Sequence, residues 1–205
     1  MSRSGLRGRL DGPVLTVWAK HDRDSDGWLP LWRHMEDSAA VAGLLWDTWL
    51  PASVRKLIAS ALPGGEQDAR RLAVWLAGVH DIGKATPAFA CQVDQLADLM
   101  REQGLEMRSA RAIGPDRRVA PHGLAGQALL GEWLKERHGW TVKQTGQVTV
   151  VVGGHPWVPD GPCDPSGRSD RQKKERPFDV VDPADIDLAH PLTVVLKDAW
   201  DQQCR

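Results

Sequence analysis

In the stretch LAGVHDIGKATPAFACQ, residues 76–92, an imidazole, a carboxylate and an amine crowd the end of an apolar, helix-patterned run: His80, Asp81 and Lys84. Imidazole and carboxylate ligate borderline and hard divalent cations, and an ion that keeps positions open for substrate needs only three or four protein ligands. Adjacency adds a possibility, because a carboxylate can bridge two ions while its neighbour's imidazole binds one of them. Two ions roughly 3.5–4 Å apart can activate a water and steady the attacking and leaving oxygens of a phosphate ester. Lys84 could then offer a point charge to a phosphate. Three more histidines, His34, His122 and His155, stand at expected helix starts or ends, where they can project into a shared cleft. His21, His138 and His190 read as surface or satisfied core residues. Taken singly, every one of these groups has an ordinary structural use; their joint setting is what points to a metal.

The elements that must position these groups are helical. "MEDSAAVAGLLWDTWL", 35–50, places Ala39, Leu44, Leu45, Trp46 and Trp49 at three- and four-residue spacings, and Pro51 stops the pattern. "ASVRKLIASALP" follows and ends at Pro63-Gly64-Gly65. From Glu66 the chain sets Ala69, Leu72, Ala73, Leu76 and Val79 on one face and closes at HDIGK, where Gly83 is expected to form a left-handed C-cap. One helix is expected over 87–103, an irregular Arg-rich connection to Pro121, and a further helix from His122 that ends at Gly139. "TVKQTGQVTVVVGGHP" suits a strand by its β-branched residues, but its helical surroundings favour a short buried helix. Residues 158–183, rich in Pro, Gly, Asp and basic side chains, read as a loop or lid, and a last helix is expected from about Pro191. No repeat or heptad seam occurs, so the expectation is a single, compact all-α domain over 1–205.

Bulk properties agree with that. The 205 residues, 41% hydrophobic and 26% charged, can bury a core without a disulfide or structural metal. No apolar run reaches the ~18 residues that would span a bilayer, and the basic start MSRSGLRGRL leads into no apolar signal core, so a cytoplasmic protein without a membrane partner is expected. Cys91, Cys163 and Cys204 are odd in number and widely spaced, as free thiols rather than a zinc or disulfide framework. A net charge of −1 leaves nucleic-acid binding to local basic surfaces. Candidates are Arg108, Arg111, Arg117 and Arg118, and Lys173 and Lys174 within the 168–176 run. The ten Trp read mainly as core and helix-packing residues.

"HMEDSAAVA" at 34–42, "HDIGKATPAF" at 80–89, "PHGLAGQ" at 121–127 and "GGHPWVP" at 153–159 resemble, in order and spacing, the successive motifs of the HD-type nuclease domain of the type I CRISPR nuclease-helicase. The resemblance spans about residues 14 to 160 and implies a concave HD-domain helical bundle with a metal-binding cleft. It implies one metal site from His34, His80 and Asp81, a second from Asp81, His122 and His155 with Asp81 as the bridge, and Lys84 facing the scissile phosphate. It also implies one or two ions of manganese, nickel, cobalt or iron, with magnesium as a further candidate. The substrate implied is single-stranded DNA exposed by a Cascade-type guide RNA complex. Pro156 and Trp157 stand where the family has a second His and a Gly. A late Asp, supplied in the family by a C-terminal helix, finds only Asp198 as a weak match, and on that comparison the chain ends before its last ligand. No phosphate-loop motif GxxxxGK[ST] occurs, so this chain is not expected to be an ATP-driven translocase on its own. It is expected to be a stand-alone HD protein, an excised domain or a shortened relative, with a helicase subunit or domain in trans. Three activities are expected in order of preference: a metal-dependent nuclease, a defective or partner-dependent HD domain with a binding or regulatory role, and an HD nucleotide phosphohydrolase.

Overall fold

A computed structural model describes residues 10, 12–109, 111 and 121–154. The described elements are mostly helical, as expected. In chain order they are strands β1 (Trp18–His21) and β2 (Trp28–Pro30), helices α1 (Leu31–Thr48), α2 (Ala52–Ala59) and α3 (Gly65–Val79), a 3-10 turn (Ile82–Lys84), and helices α4 (Pro87–Ala90), α5 (Asp94–Glu102), α6 (His122–His138) and α7 (Val142–Gly154). A short 3-10 segment, Gly12–Thr16, precedes β1. None of these helices is long and apolar enough to cross a membrane.

A small two-stranded β-hairpin, which the sequence did not announce, accompanies the helices without changing the all-α class. Its strands pair antiparallel with Trp18 opposite Pro30 and His21 opposite Trp28. Asp22 organises the connecting turn by accepting from the Asp24 N–H and the Ser25 hydroxyl. Pro30 ends β2 with an extended ψ, and α1 begins at the next residue. There the Leu31 N–H donates to the Val17 carbonyl at 2.7 Å, so the hairpin fixes how α1 enters the bundle.

Helix α1 therefore starts four residues before the expected Met35, and its buried stripe is Leu31, Met35, Gly43 and Trp46. Leu44, Leu45 and Trp49, which the spacing counted with the apolar face, are exposed. The stripe that faces the hairpin and α3 wins, and the neighbouring positions turn outward. The span 87–103 also divides. Thr86 caps α4 with its hydroxyl, Pro87 occupies the first turn, and α5 restarts at Asp94 after an extended Val93.

Helix α6 ends at Gly139 with φ 67°, the left-handed stop its glycine allows. The valine-rich run is helix α7, whose Thr145, Thr149 and Val152 are buried while Val150 and Val151 are exposed. Amphipathic packing on α6 decides this element, over the β propensity of its residues. The core gathers Leu31 and Met35 from α1, Val79 and Ile82 around the HD pair, Met100 from α5, and Leu130 and Leu134 from α6, all fully buried. Trp18, Trp46, Trp75, Trp133 and Trp140 are buried as expected of core aromatics, and Cys91 is a buried free thiol. Cys163, Cys204, the loop at 158–183 and the helix expected from 191 lie outside the described residues.

Candidate metal centre

The His80–Asp81 pair sits between two anchors. Val79 closes α3 and Ile82 opens the 3-10 turn, and neither side chain is accessible to solvent. With both neighbours pinned in the core, the pair is held at the point where α3 gives way to the turn. His80 Nδ1 lies 2.7 Å from the Ala77 carbonyl oxygen, which can only accept, so Nδ1 carries a proton and Nε2 is directed at Asp81.

Asp81 is the focus of the site. Its Oδ2 receives His34 Nε2 at 2.7 Å, Lys84 Nζ at 2.6 Å and His80 Nε2 at 3.3 Å. Its Oδ1 faces His122 Nε2 at 3.4 Å. The carboxylate thus presents one oxygen to the α1 and α3 histidines and the other to the first residue of α6. The Asp81 side chain is 3% exposed, against 13% for His34, 22% for His80 and 27% for His122. The imidazoles form the open side and the carboxylate the floor.

Burial alone would raise the Asp81 pKa, but hydrogen bonds from His122, His34, His80 and Lys84 outweigh it and hold the carboxyl far below the usual carboxylate range. The hydrogen bond to Asp81 raises the His80 pKa above that of an ordinary histidine, against the opposing effect of burial. Lys84 is itself buried, with its ammonium 5.6 Å from the centre of the Phe89 ring. Phe89 also meets His122 edge-on at 5.9 Å and packs on Trp18 at 4.4 Å. Trp18 in turn donates from Nε1 to the Ala90 carbonyl. The hairpin therefore backs the wall against which Lys84 and His122 rest.

One ligand atom each from His34, His80 and Asp81 lies within 4.8 Å of the other two, a group able to hold a metal ion. The donor chemistry, two imidazoles and a carboxylate that already draws in Lys84, suits a divalent metal ion. An apolar groove of about 330 Å³ runs past His80 and is lined by Ser38, Leu76, Ala77, Val151 and Val152.

A family model described as "Cas3, HD domain" matches residues 18–203. The chain belongs to the Cas3 HD-domain family. Among Cas3 relatives, the CRISPR-associated nuclease/helicase Cas3 of Streptococcus thermophilus is 34% identical over 152 residues, covering 67% of this chain and 15% of that protein. The CRISPR-associated endonuclease/helicase Cas3 of Thermus thermophilus is 29% identical over 150 residues, 73% of this chain and 15% of its own length. This chain accordingly spans about 15% of the curated Cas3 relatives it matches. A crystal structure described as a CRISPR-associated protein superposes with a TM-score of 0.62 at 31% identity, over 99% of this chain and 20% of the other. The T. fusca Cas3-ATP structure does so with 0.51 at 29% identity, over 72% of this chain and 15% of the other.

Of the residues singled out in the sequence, the Cas3-type fold brings His34, His80, Asp81, Lys84 and His122 together. Arg108 and Arg111 are exposed. His155, Pro156, Arg117, Arg118, Lys173, Lys174 and Asp198 lie outside the described residues. Gly83 corrects an expectation: its φ is not positive, and it sits in the 3-10 turn rather than at a left-handed cap. Sequence reasoning also passed over Thr86 and Phe89. Thr86 was legible as Thr-Pro ahead of a helix, and its hydroxyl donates to the Gly83 carbonyl at 2.9 Å. Phe89 carried no local signal, because its partners Trp18 and His122 come from distant segments.

Proposed function

We propose that this chain is a divalent-metal-dependent nuclease domain that hydrolyses phosphodiester bonds of single-stranded DNA. The observation that carries the reading is the convergence of His34, His80, His122 and Lys84 on the two oxygens of Asp81. His34, His80 and Asp81 would hold one ion, and Asp81 with His122 and His155 a second. When bound, such ions supply an activated water and charge for the oxygens of an in-line displacement at phosphorus. The protein's own contribution is to fix that donor set. The Ala77 carbonyl holds the His80 tautomer, the hairpin sets the entry of α1 and hence His34, and Phe89 supports His122. Lys84 neutralises Asp81 in the metal-free chain and provides the ammonium that meets a phosphate oxygen of the substrate.

The groove beside His80 is open rather than sealed, which leaves room for an extended substrate to reach the centre. The nuclease/helicase names of the Cas3 relatives support a helicase acting beside this domain; a Cascade-type guide RNA complex that exposes the DNA strand completes the proposed reading.

The test is an assay with manganese or nickel on single-stranded DNA, duplex DNA and free nucleotides in parallel. Cleavage of the single strand, abolished by chelator and by Asp81→Ala, is expected. Lys84→Met should keep the metal and lose about a hundredfold in cleavage rate. Cleavage that persists in excess chelator, or turnover confined to free nucleotides, would overturn the reading.

A further inference from the structure

The close approach of Gly83 to α6 is not required by backbone conformation. Its φ lies outside the left-handed region, so any residue could adopt it. What excludes a side chain is contact. A Cβ built at Gly83 would overlap the His122 carbonyl oxygen and the Gly126 nitrogen, both of them backbone atoms that no rotamer change can move. Gly126 completes the fit from the other side: its own Cβ would lie 3.1 Å from the Gly83 nitrogen, 3.3 Å from Val152 Cγ1 and 3.4 Å from Ile82 Cγ2.

This contact joins two segments of chain that each carry part of the site. Asp81 and Lys84 flank Gly83 on the 3-10 turn, and His122 opens the helix that Gly83 touches. His34 reaches Asp81 from α1, and His80 arrives as the end of α3, so neither depends on the turn-to-α6 spacing. The two oxygens of Asp81 consequently have different supports. Among the described residues, the Oδ2 side is built by α1, α3 and the turn itself, and the Oδ1 side by the turn lying directly on the backbone of α6.

We propose that Gly83 is a positioning residue for the His122 half of the centre: with Gly126 opposite, it sets the Asp81–His122 separation and so controls a second cation site independently of the His34–His80–Asp81 group. Any larger residue must push the first turn of α6, and His122 with it, away from Asp81. The proposal rests on reading Asp81 and His122 as ligands, and its test has an arm that does not.

The experiment uses the whole chain with Gly83→Ala, beside His122→Ala and wild type. In the metal-free chain, imidazole ¹H–¹⁵N spectra should show the His122 signals displaced by Gly83→Ala while those of His34 stay in place. In manganese titrations followed by calorimetry, Gly83→Ala should keep wild-type uptake at the first site and weaken the second by about tenfold or more, as perturbing a ligand's support does, so matching His122→Ala. If Gly83→Ala does not fold, Gly126→Ala, whose contacts are less severe, carries the same comparison with smaller displacements. Unmoved His122 signals, or equal movement of His34 and His122, would overturn the proposal. Absence of manganese uptake by wild type would sink the nuclease reading alone, since the metal-free spectra still decide the role of Gly83.

Discussion

Asp81 holds a single negative charge against three imidazoles and an ammonium, so its removal tests the whole cluster. Asp81→Asn strands Lys84 in a buried position without its carboxylate, and should cost the metal-free chain on the order of 3 kcal/mol in urea denaturation run with chelator. Protonation acts in the same direction. Because the folded pKa of Asp81 is depressed, its contribution is present above the ordinary carboxylate value of about 4 and fades as the pH falls below it. The raised pKa of His80 works on the other side: its contribution is complete below the ordinary histidine value of about 6.5 and is lost as the pH rises through the folded value. Between them these two groups favour the mildly acidic range, and stability measured against pH should have a shallower acid-side slope in Asp81→Asn, the depressed carboxyls of Asp22 and Asp47 keeping part of it. The proximity of His80, Asp81 and Lys84 was legible because they are close neighbours in the chain. That His34, 47 residues earlier, lies 2.7 Å from Asp81 was inferable only through resemblance.

Individual elements carry a different kind of test. Trp18 packs on Phe89 and donates to the Ala90 carbonyl, so it ties the hairpin to the wall behind Lys84 and His122. Trp18→Ala should cost about 3–5 kcal/mol by leaving a cavity there, read as a drop in the urea midpoint, and should weaken metal uptake in calorimetry. Within the helices, Leu134 is wholly buried and Leu44 is mostly exposed. Leu134→Ala should cost about 2–5 kcal/mol and Leu44→Ala under about 0.5 kcal/mol in the same measurement. A simple apolar count would rank them equal. Helices α3 and α6 were legible because long periodic runs end in unambiguous glycine or HD signals. The hairpin was not, since strands of four and three residues give too little alternation to stand out from the helices around them.

For the molecule as a whole, a net charge of −1 provides no general attraction for DNA, so the proposed binding would have to come from local basic groups. Arg108 and Arg111 are exposed on the described surface. Single-strand affinity should fall steeply with salt, and Arg108→Ala and Arg111→Ala should each reduce the slope of log K against log salt by about one where the lost contact is a phosphate. Filter binding across a salt series reads this directly. Exposed Trp49 and Leu57 contribute nothing to the core, and Trp49→Ser with Leu57→Ser should leave thermal stability nearly unchanged. The sequence by itself determined the helical class, the chemistry of the HD pair and the order of the motifs, because composition, periodicity and adjacency are properties of the chain. Only tertiary structure decided that the two oxygens of Asp81 face different helices and that Gly83 serves contact rather than a cap. Those outcomes depend on how segments distant in sequence pack, and no local pattern records the space left between two backbones.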